Sequence, residues 1–160
     1  MTEIKDIGIV WSNDTGKGEW HIKNGDIATD HALYSAVMVS LFSDRVAPLE
    51  PSQKEKNAAI GKIDGDRRGW WGDMLRTEPI GSRLWQLTRA VKADRTSITA
   101  LAQDMIYEAL SWMTEDGLVN AINVEVSWIK SGLLGFKIEL IEPRQYNPKV
   151  FLFSWAWEGV

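Results

Sequence analysis

From Ile122 to Trp157 the chain alternates with period two in three successive runs, and few folds satisfy that pattern. Ile122, Val124, Val126 and Trp128 alternate with Asn123, Glu125 and Ser127, and Leu134, Phe136, Ile138 and Leu140 alternate with residues that include Lys137 and Glu139. Ser131-Gly132, between these runs, has the composition of a hairpin turn. After a loop over Glu142–Pro148, the third run places Phe151, Phe153, Trp155 and Trp157 on one face and Val150, Leu152, Ser154 and Ala156 on the other. Successive side chains of a strand point to opposite sides. The first two runs therefore predict antiparallel strands with one apolar and one wet face. The third carries no charge from Val150 until Glu158. Such a strand is either central and covered on both faces, or an edge that another chain must protect.

Helical spacing precedes these strands. Ile98, Leu101, Met105, Ala109 and Trp112, reinforced by Ala102, Ile106 and Met113, predict a helix over about 96–115, with Asp116-Gly117 as its stop. A second helix is expected from about Thr29 or Asp30, either of which can cap it. Leu33, Ala36, Val37, Ser40 and Leu41 form its stripe, while Tyr34, Met38, Val39 and Phe42 widen the apolar surface. Asp44-Arg45 and Pro48 mark its end. A short helix suits residues 82–92, with Leu84, Leu87 and Val91 on one face. At the start, Ile7, Ile9 and Trp11, a turn over residues 13–18, and then Trp20 and Ile22 read as a hairpin. Residues 45–66 hold two prolines, two glycines and many charges, and read as a long surface connection. The expected architecture is α+β in a single domain over 1–160. An N-terminal hairpin and about three helices precede a three-stranded antiparallel meander packed on the long helix.

Length and composition narrow the chemistry. A chain of 160 residues is large enough for a real core. It has no cysteine, which excludes disulfides, thiolate metal sites and cysteine nucleophiles. The start shows no basic, apolar leader pattern, and no apolar run approaches the roughly 20 residues of a membrane span. A soluble protein made in a cytosol is expected. The net charge of −4 argues against nucleic acid, but the charge is uneven: residues 62–95 carry +3 and the remainder −7. Such asymmetry can orient a neighbouring subunit. His21 and His31 have no ligand partners at convincing spacing, and no phosphate loop, dinucleotide fingerprint or nucleophile elbow is present. No metal, cofactor or catalytic residue is expected.

Residues 67–73 read Arg67-Arg68-Gly69-Trp70-Trp71-Gly72-Asp73. Adjacent tryptophans fit neither regular period, and glycines on both sides point to a fixed irregular loop. Something must cover such large rings, either the chain's own core or another protein. One ring is expected under the 96–115 helix and the other against a partner, with Arg67, Arg68 and Asp73 holding the turn. An arginine stacked on tryptophan is expected within this loop. Two chemical alternatives use the same residues. Asp64, Asp66 and Asp73 beside tryptophans could serve a cell-wall glycosidase, which needs paired carboxylates. Exposed rings in a flat row would instead suit a carbohydrate-binding module.

The run at 66–73, together with Ser40-Leu41-Phe42-Ser43-Asp44-Arg45, Gly81-Ser82-Arg83-Leu84-Trp85, Glu108-Ala109-Leu110-Ser111-Trp112 with Asp116-Gly117, and the early Gly25-Asp26-Ile27-Ala28-Thr29, resembles the small baseplate protein family of Mu-like contractile-tailed phages and prophages. These blocks occur in order across about 25–117. The resemblance implies an α+β, non-enzymatic wedge subunit that joins the wedge core to the tail sheath. Its partners would be other wedge proteins and the sheath or its first ring, in a six-fold baseplate, with no nucleic acid and no membrane. Its location would be the virion tail, after assembly in the host cytoplasm. In the wider group a Glu-Pro-Arg triplet follows the main helix. Here Glu142-Pro143-Arg144 lies between the last two strands instead, so that role is not carried over. Phe151, Phe153, Trp155 and Trp157 form the candidate partner-facing strand, and residues 67–73 the candidate structural or partner anchor.

Overall fold

The computed structural model describes residues 8–12, 14, 16–20, 22–23, 26–27, 32–90 and 93–156. The C-terminal meander organises them. Strands β5 (Ala121–Lys130), β6 (Leu133–Ile141) and β7 (Lys149–Ala156) form an antiparallel sheet in that order. Their register stacks apolar side chains in rows across the inner face: Val124, Ile138 and Phe151; Val126, Phe136 and Phe153; Trp128, Leu134 and Trp155. Leu134, Ile138 and Leu140 are fully buried. The three alternating runs and the 131–132 turn of the sequence are thus the three strands and the hairpin between the first two.

Helix α3 (Arg95–Leu110) covers the β5 side of this face. Its cap is Asp94, whose carboxylate accepts the Ser97 N–H at 2.9 Å and its hydroxyl at 2.6 Å. Ile98, Leu101, Ala102, Met105, Ile106 and Ala109 are buried along one stripe. The helix is interrupted at Ser111 rather than running on to 115, and α4 (Trp112–Glu115) follows as a separate turn. Its end is closed by the Leu118 N–H on the Met113 carbonyl at 2.8 Å and the Gly117 N–H on Thr114 at 3.1 Å, which satisfies carbonyls that the helix leaves free.

Helix α1 (Ala32–Phe42) lies over the β7 side. Tyr34 stands 5.9 Å from Phe151 and 6.0 Å from Phe153, and Phe42 meets Phe153 edge-on at 5.7 Å. Trp112 Nε1 donates to Ser40 Oγ at 3.0 Å, tying α4 to α1. The expected cap residues Thr29 and Asp30 lie outside the described residues. At the N-terminus β1 (Ile9–Ser12) pairs with β2 (Lys17–Trp20), and the short strands β3 (Ile22–Lys23) and β4 (Asp26–Ile27) pair with each other.

Two further sequence expectations change. Residues 45–66 are not simply a surface connection. They hold helix α2 (Gln53–Asn57) and bury Ala47, Glu55, Ala58, Ile60 and Ile63. The charges there hid a capping box, in which Ser52 Oγ accepts the Glu55 N–H and Glu55 accepts the Ser52 N–H at 2.7 Å. Residues 82–92 were expected as an ordinary short helix. The described part is a 3-10 turn over Leu84–Arg89 that buries Leu84, Trp85, Gln86 and Leu87.

The central strand β6 is paired on both sides and buries Leu134, Phe136, Ile138 and Leu140. Ile138→Ala, between Val124 and Phe151, should lower unfolding free energy by about 2–5 kcal/mol in urea titration.

Candidate functional site

The Trp-Trp segment is a rigid, outward-facing turn. A 3-10 turn over Trp71–Leu75 begins directly after Trp70. Asp73 fastens it at both ends: one carboxylate oxygen accepts the Trp70 N–H at 3.3 Å and the other accepts the Ile80 N–H at 3.0 Å. Arg67 grips the Ala47 carbonyl through two guanidinium nitrogens, with Nε at 2.8 Å, and the Arg67 carbonyl accepts the Ala47 N–H at 2.9 Å. Arg68 donates its backbone N–H to Asp66 at 2.8 Å and its guanidinium to Asp44 at 2.8 Å. Gly69 runs against Val46. The Trp70 ring lies over Gly72, where a Cβ would fall 2.2 Å from it, so any other residue would push the ring aside.

Neither ring is covered by α3. Trp70 is 44% exposed and Trp71 75%, and Met74 and Leu75 on the same turn are each 87% exposed. The expectation of one ring under that helix is not met, and the tryptophan buried nearby is Trp85, clustered with Ala47 and Ile63. Trp85 is buried, and its indole N–H reaches the Arg45 carbonyl at 3.0 Å. The arginine stack likewise forms elsewhere: the Arg68 guanidinium carbon sits 4.5 Å from the Trp85 ring centroid. Trp70 and Trp71 touch at 5.2 Å between centroids with their planes 48° apart, so they form no flat row. Asp73 is committed to backbone N–H groups and is not presented as a free carboxylate.

The separated sequence blocks converge behind this turn. Asp44 and Ser82 form a parallel bridge, with the Arg45 N–H on the Ser82 carbonyl and the Ser82 N–H on the Ser43 carbonyl, both at 2.9 Å. Ser82 Oγ donates to the Leu41 carbonyl at 2.5 Å. Gly81, at φ 99°, makes this approach possible, because a Cβ would lie 2.4 Å from the Ser43 oxygen. Arg45 donates to the Pro79 carbonyl at 2.9 Å. Deeper in, Arg83 donates to Glu108 at 2.8 Å, to Glu55 in a short contact, and to Gln86 at 3.2 Å. Glu55 and Gln86 are each only 2% exposed. Burial pushes the Glu55 carboxyl up, but hydrogen bonds from Ser52 and the Arg83 charge outweigh it and hold the group below its ordinary range. Burial also disfavours the Arg83 charge, and Glu108 and Glu55 more than offset that. This ion cluster was not found by sequence reasoning. The spacing of Ser52 and Glu55 as a capping box was the available signal.

The second candidate surface is β7. Phe151, Phe153 and Trp155 point inward, against α1 and the core, so the aromatic face is not the one offered to a partner. Trp157 lies outside the described residues. Outward instead stand Val150 at 49% and Leu152 at 73% exposure. β7 is an edge strand with no further strand beside it among the described residues. The opposite edge differs: Gln103 of α3 reaches the Val124 carbonyl of β5 at 2.9 Å. Among the described residues, no cluster of three or more His, Asp or Glu could hold a metal ion, and no helix is long and apolar enough to cross a membrane.

Asp73→Ala should leave two N–H groups without their acceptor. A stability loss of about 1–3 kcal/mol is expected, with faster amide exchange at Trp70 and Ile80; unchanged Ile80 protection would contradict the anchoring role. Because the folded Glu55 pKa is depressed, its contribution is fully present above the unfolded value of about 4.3. It is lost as pH falls through the folded value. Glu55→Gln should therefore flatten the fall in stability below about pH 4.3, as read from urea titrations across that range.

The same blocks lie within matches to known proteins. The family model described as phage protein GP46 matches residues 33–147. The chain is 38% identical over 140 residues to the baseplate protein gp46 of Escherichia phage Mu, covering 88% of this chain and 89% of that protein. It is 28% identical over 155 residues to the Mu-like prophage FluMu protein gp46 of Haemophilus influenzae, covering 96% and 99%. The ion cluster of Arg83, the Ser43–Ser82 clasp and the Trp-Trp turn all fall inside the matched region, and the chain belongs to the phage protein GP46 family.

Proposed function

We propose that this protein is a non-enzymatic structural subunit of a contractile-tail baseplate, a wedge component that joins the wedge core to the tail sheath. The baseplate role rests on the relative from phage Mu, which is named a baseplate protein. The attachment role rests on one structural observation, the edge of β7, unpaired among the described residues, with Val150 and Leu152 facing out. Main-chain N–H and C=O groups along an unpaired edge accept a foreign strand, and apolar side chains beside them add affinity. A natural edge is normally blunted by charge or covered. An apolar one is suited to a subunit whose working state is an assembly.

In this reading a neighbouring wedge or sheath protein adds a strand to β7, within a six-fold ring at the end of the tail. The subunit is assembled in the host cytoplasm and carried in the virion. It uses no cofactor and binds neither nucleic acid nor membrane. Residues 67–73 serve as a second anchor toward wedge partners. The glycosidase and carbohydrate alternatives find less support, given that Asp73 holds backbone N–H groups and the two rings are tilted rather than coplanar.

The test is complementation of a phage or prophage lacking this gene with the double variant Val150→Glu, Leu152→Lys. Both side chains are exposed, so the isolated protein should keep its stability within about 0.5 kcal/mol per site. Infectious titre and the yield of sheathed tails by electron microscopy should collapse. Normal sheathed tails containing the variant would refute attachment through β7.

A further inference from the structure

The first 3-10 turn carries four large apolar side chains in the open: Trp70, Trp71, Met74 and Leu75. A 3-10 helix has three residues per turn, so Trp71 and Met74 lie on one face. The Trp70 ring leans on Trp71 at 5.2 Å. Aromatic side chains each offer roughly 150–250 Å² for burial. Contiguous apolar patches larger than a few hundred Å² on a folded chain mark interaction sites. The turn is also held before any partner arrives, by Asp73 at both ends, by Arg67 on Ala47 and by Gly72 under the Trp70 ring. A rigid anchor loses little conformational entropy on docking, and tryptophan is the residue type most enriched among energetically dominant contacts.

The charge around the turn selects the partner. Four acids near it are already engaged: Asp73 with two N–H groups, Asp66 with the Arg68 N–H, Asp44 with the Arg68 guanidinium, and Glu78 at 3.6 Å from Arg45. Arg76 follows the turn directly, is exposed, and forms no ion pair among the described residues. The segment 62–95 as a whole carries +3. A two-fold contact between copies through this patch would bring two net-positive 62–95 segments together, which disfavours self-association.

We propose that Trp70, Trp71, Met74 and Leu75 form a preformed knob that enters an apolar pocket on a different baseplate protein, with carboxylates at the pocket rim meeting Arg76. The proposal rests on the baseplate reading above and adds the chemistry of the partner surface. It assigns this contact to side chains, whereas the β7 contact uses main-chain groups.

The experiment is photo-crosslinking in assembled tails that carry this chain with Trp71→p-benzoylphenylalanine. The expected product joins position 71 to a segment of another tail protein in which apolar residues are flanked by Asp or Glu. In that background Arg76→Glu should lower the crosslink yield about tenfold or more, the effect of losing roughly 1.4 kcal/mol of binding, while Arg76→Lys retains most of it. Circular dichroism melts of each purified variant separate a docking defect from a folding defect. Crosslinks to a second copy of this chain, to a segment without carboxylates, or to nothing in tails that contain the chain would overturn the knob. A yield indifferent to Arg76→Glu would do the same for the charged rim. Absence of the wild-type chain from purified tails would instead overturn the baseplate reading, and the knob with it.

Discussion

The Arg83 ion cluster is the constraint on which the irregular half of this protein depends. Arg83 precedes the second 3-10 turn, Glu55 lies in α2 and Glu108 in α3, so one guanidinium joins three elements distant in sequence. Between α1 and α3 there is little regular structure to define a position, and few backbone groups pair in ladders. A buried, partnered charge supplies what the missing sheet or helix contacts would have supplied. Its desolvation is offset only if every partner is in place. The cluster thus favours one arrangement of α2, the turn at 84–89 and α3 over the looser packings that apolar contacts alone would tolerate.

Around this cluster the chain builds outward in a consistent order. The Ser43–Ser82 clasp brings the end of α1 to the start of the 84–89 turn. Trp85 then fills the space under Arg68 and Arg45. Only beyond this layer does the Trp-Trp turn appear, with its rings outward. The tryptophans divide by neighbours rather than by chemistry: Trp85 and Trp112 send their N–H groups to interior acceptors, the Arg45 carbonyl and Ser40. Trp70 and Trp71 have glycines as neighbours and a carboxylate that secures backbone instead of indole.

Much of the fold was readable from the sequence, for a physical reason. In the meander and in α3 the hydrophobic period is set by burial on one face, so Ile122 to Leu140 and Ile98 to Ala109 announce their geometry directly. The segment 45–66 was misread because its buried residues are few and its charges many. Glu55 looks like a surface acid until Arg83, 28 residues away, is known to lie against it. The same limit applies to the candidate sites. Residues 67–73 stood out by spelling, and their hydrogen bonds were foreseeable from residue type. Which rings face out was not foreseeable, since neither period nor residue type separates Trp70 and Trp71 from the buried Trp85. For β7 the period was plain, but two apolar faces left no polarity to mark which one is inside.

That last property has a consequence for how β7 finds its place. Shifting a strand by one residue exchanges its faces. In β5 or β6 such a slip would bury Glu125 or Lys137 and expose Val124 or Ile138, and is strongly penalised. In β7 it would trade Phe151, Phe153 and Trp155 for Val150, Leu152 and Ser154, and no charge would enter the core. Register there is carried by shape, through Tyr34 and Phe42 fitting the rings, and by the short connection from Ile141 to Lys149 with its Lys149–Glu142 pair at 2.8 Å. The strand whose edge is unpaired among the described residues is therefore also the one aligned least by polarity, and α1 acts as its template.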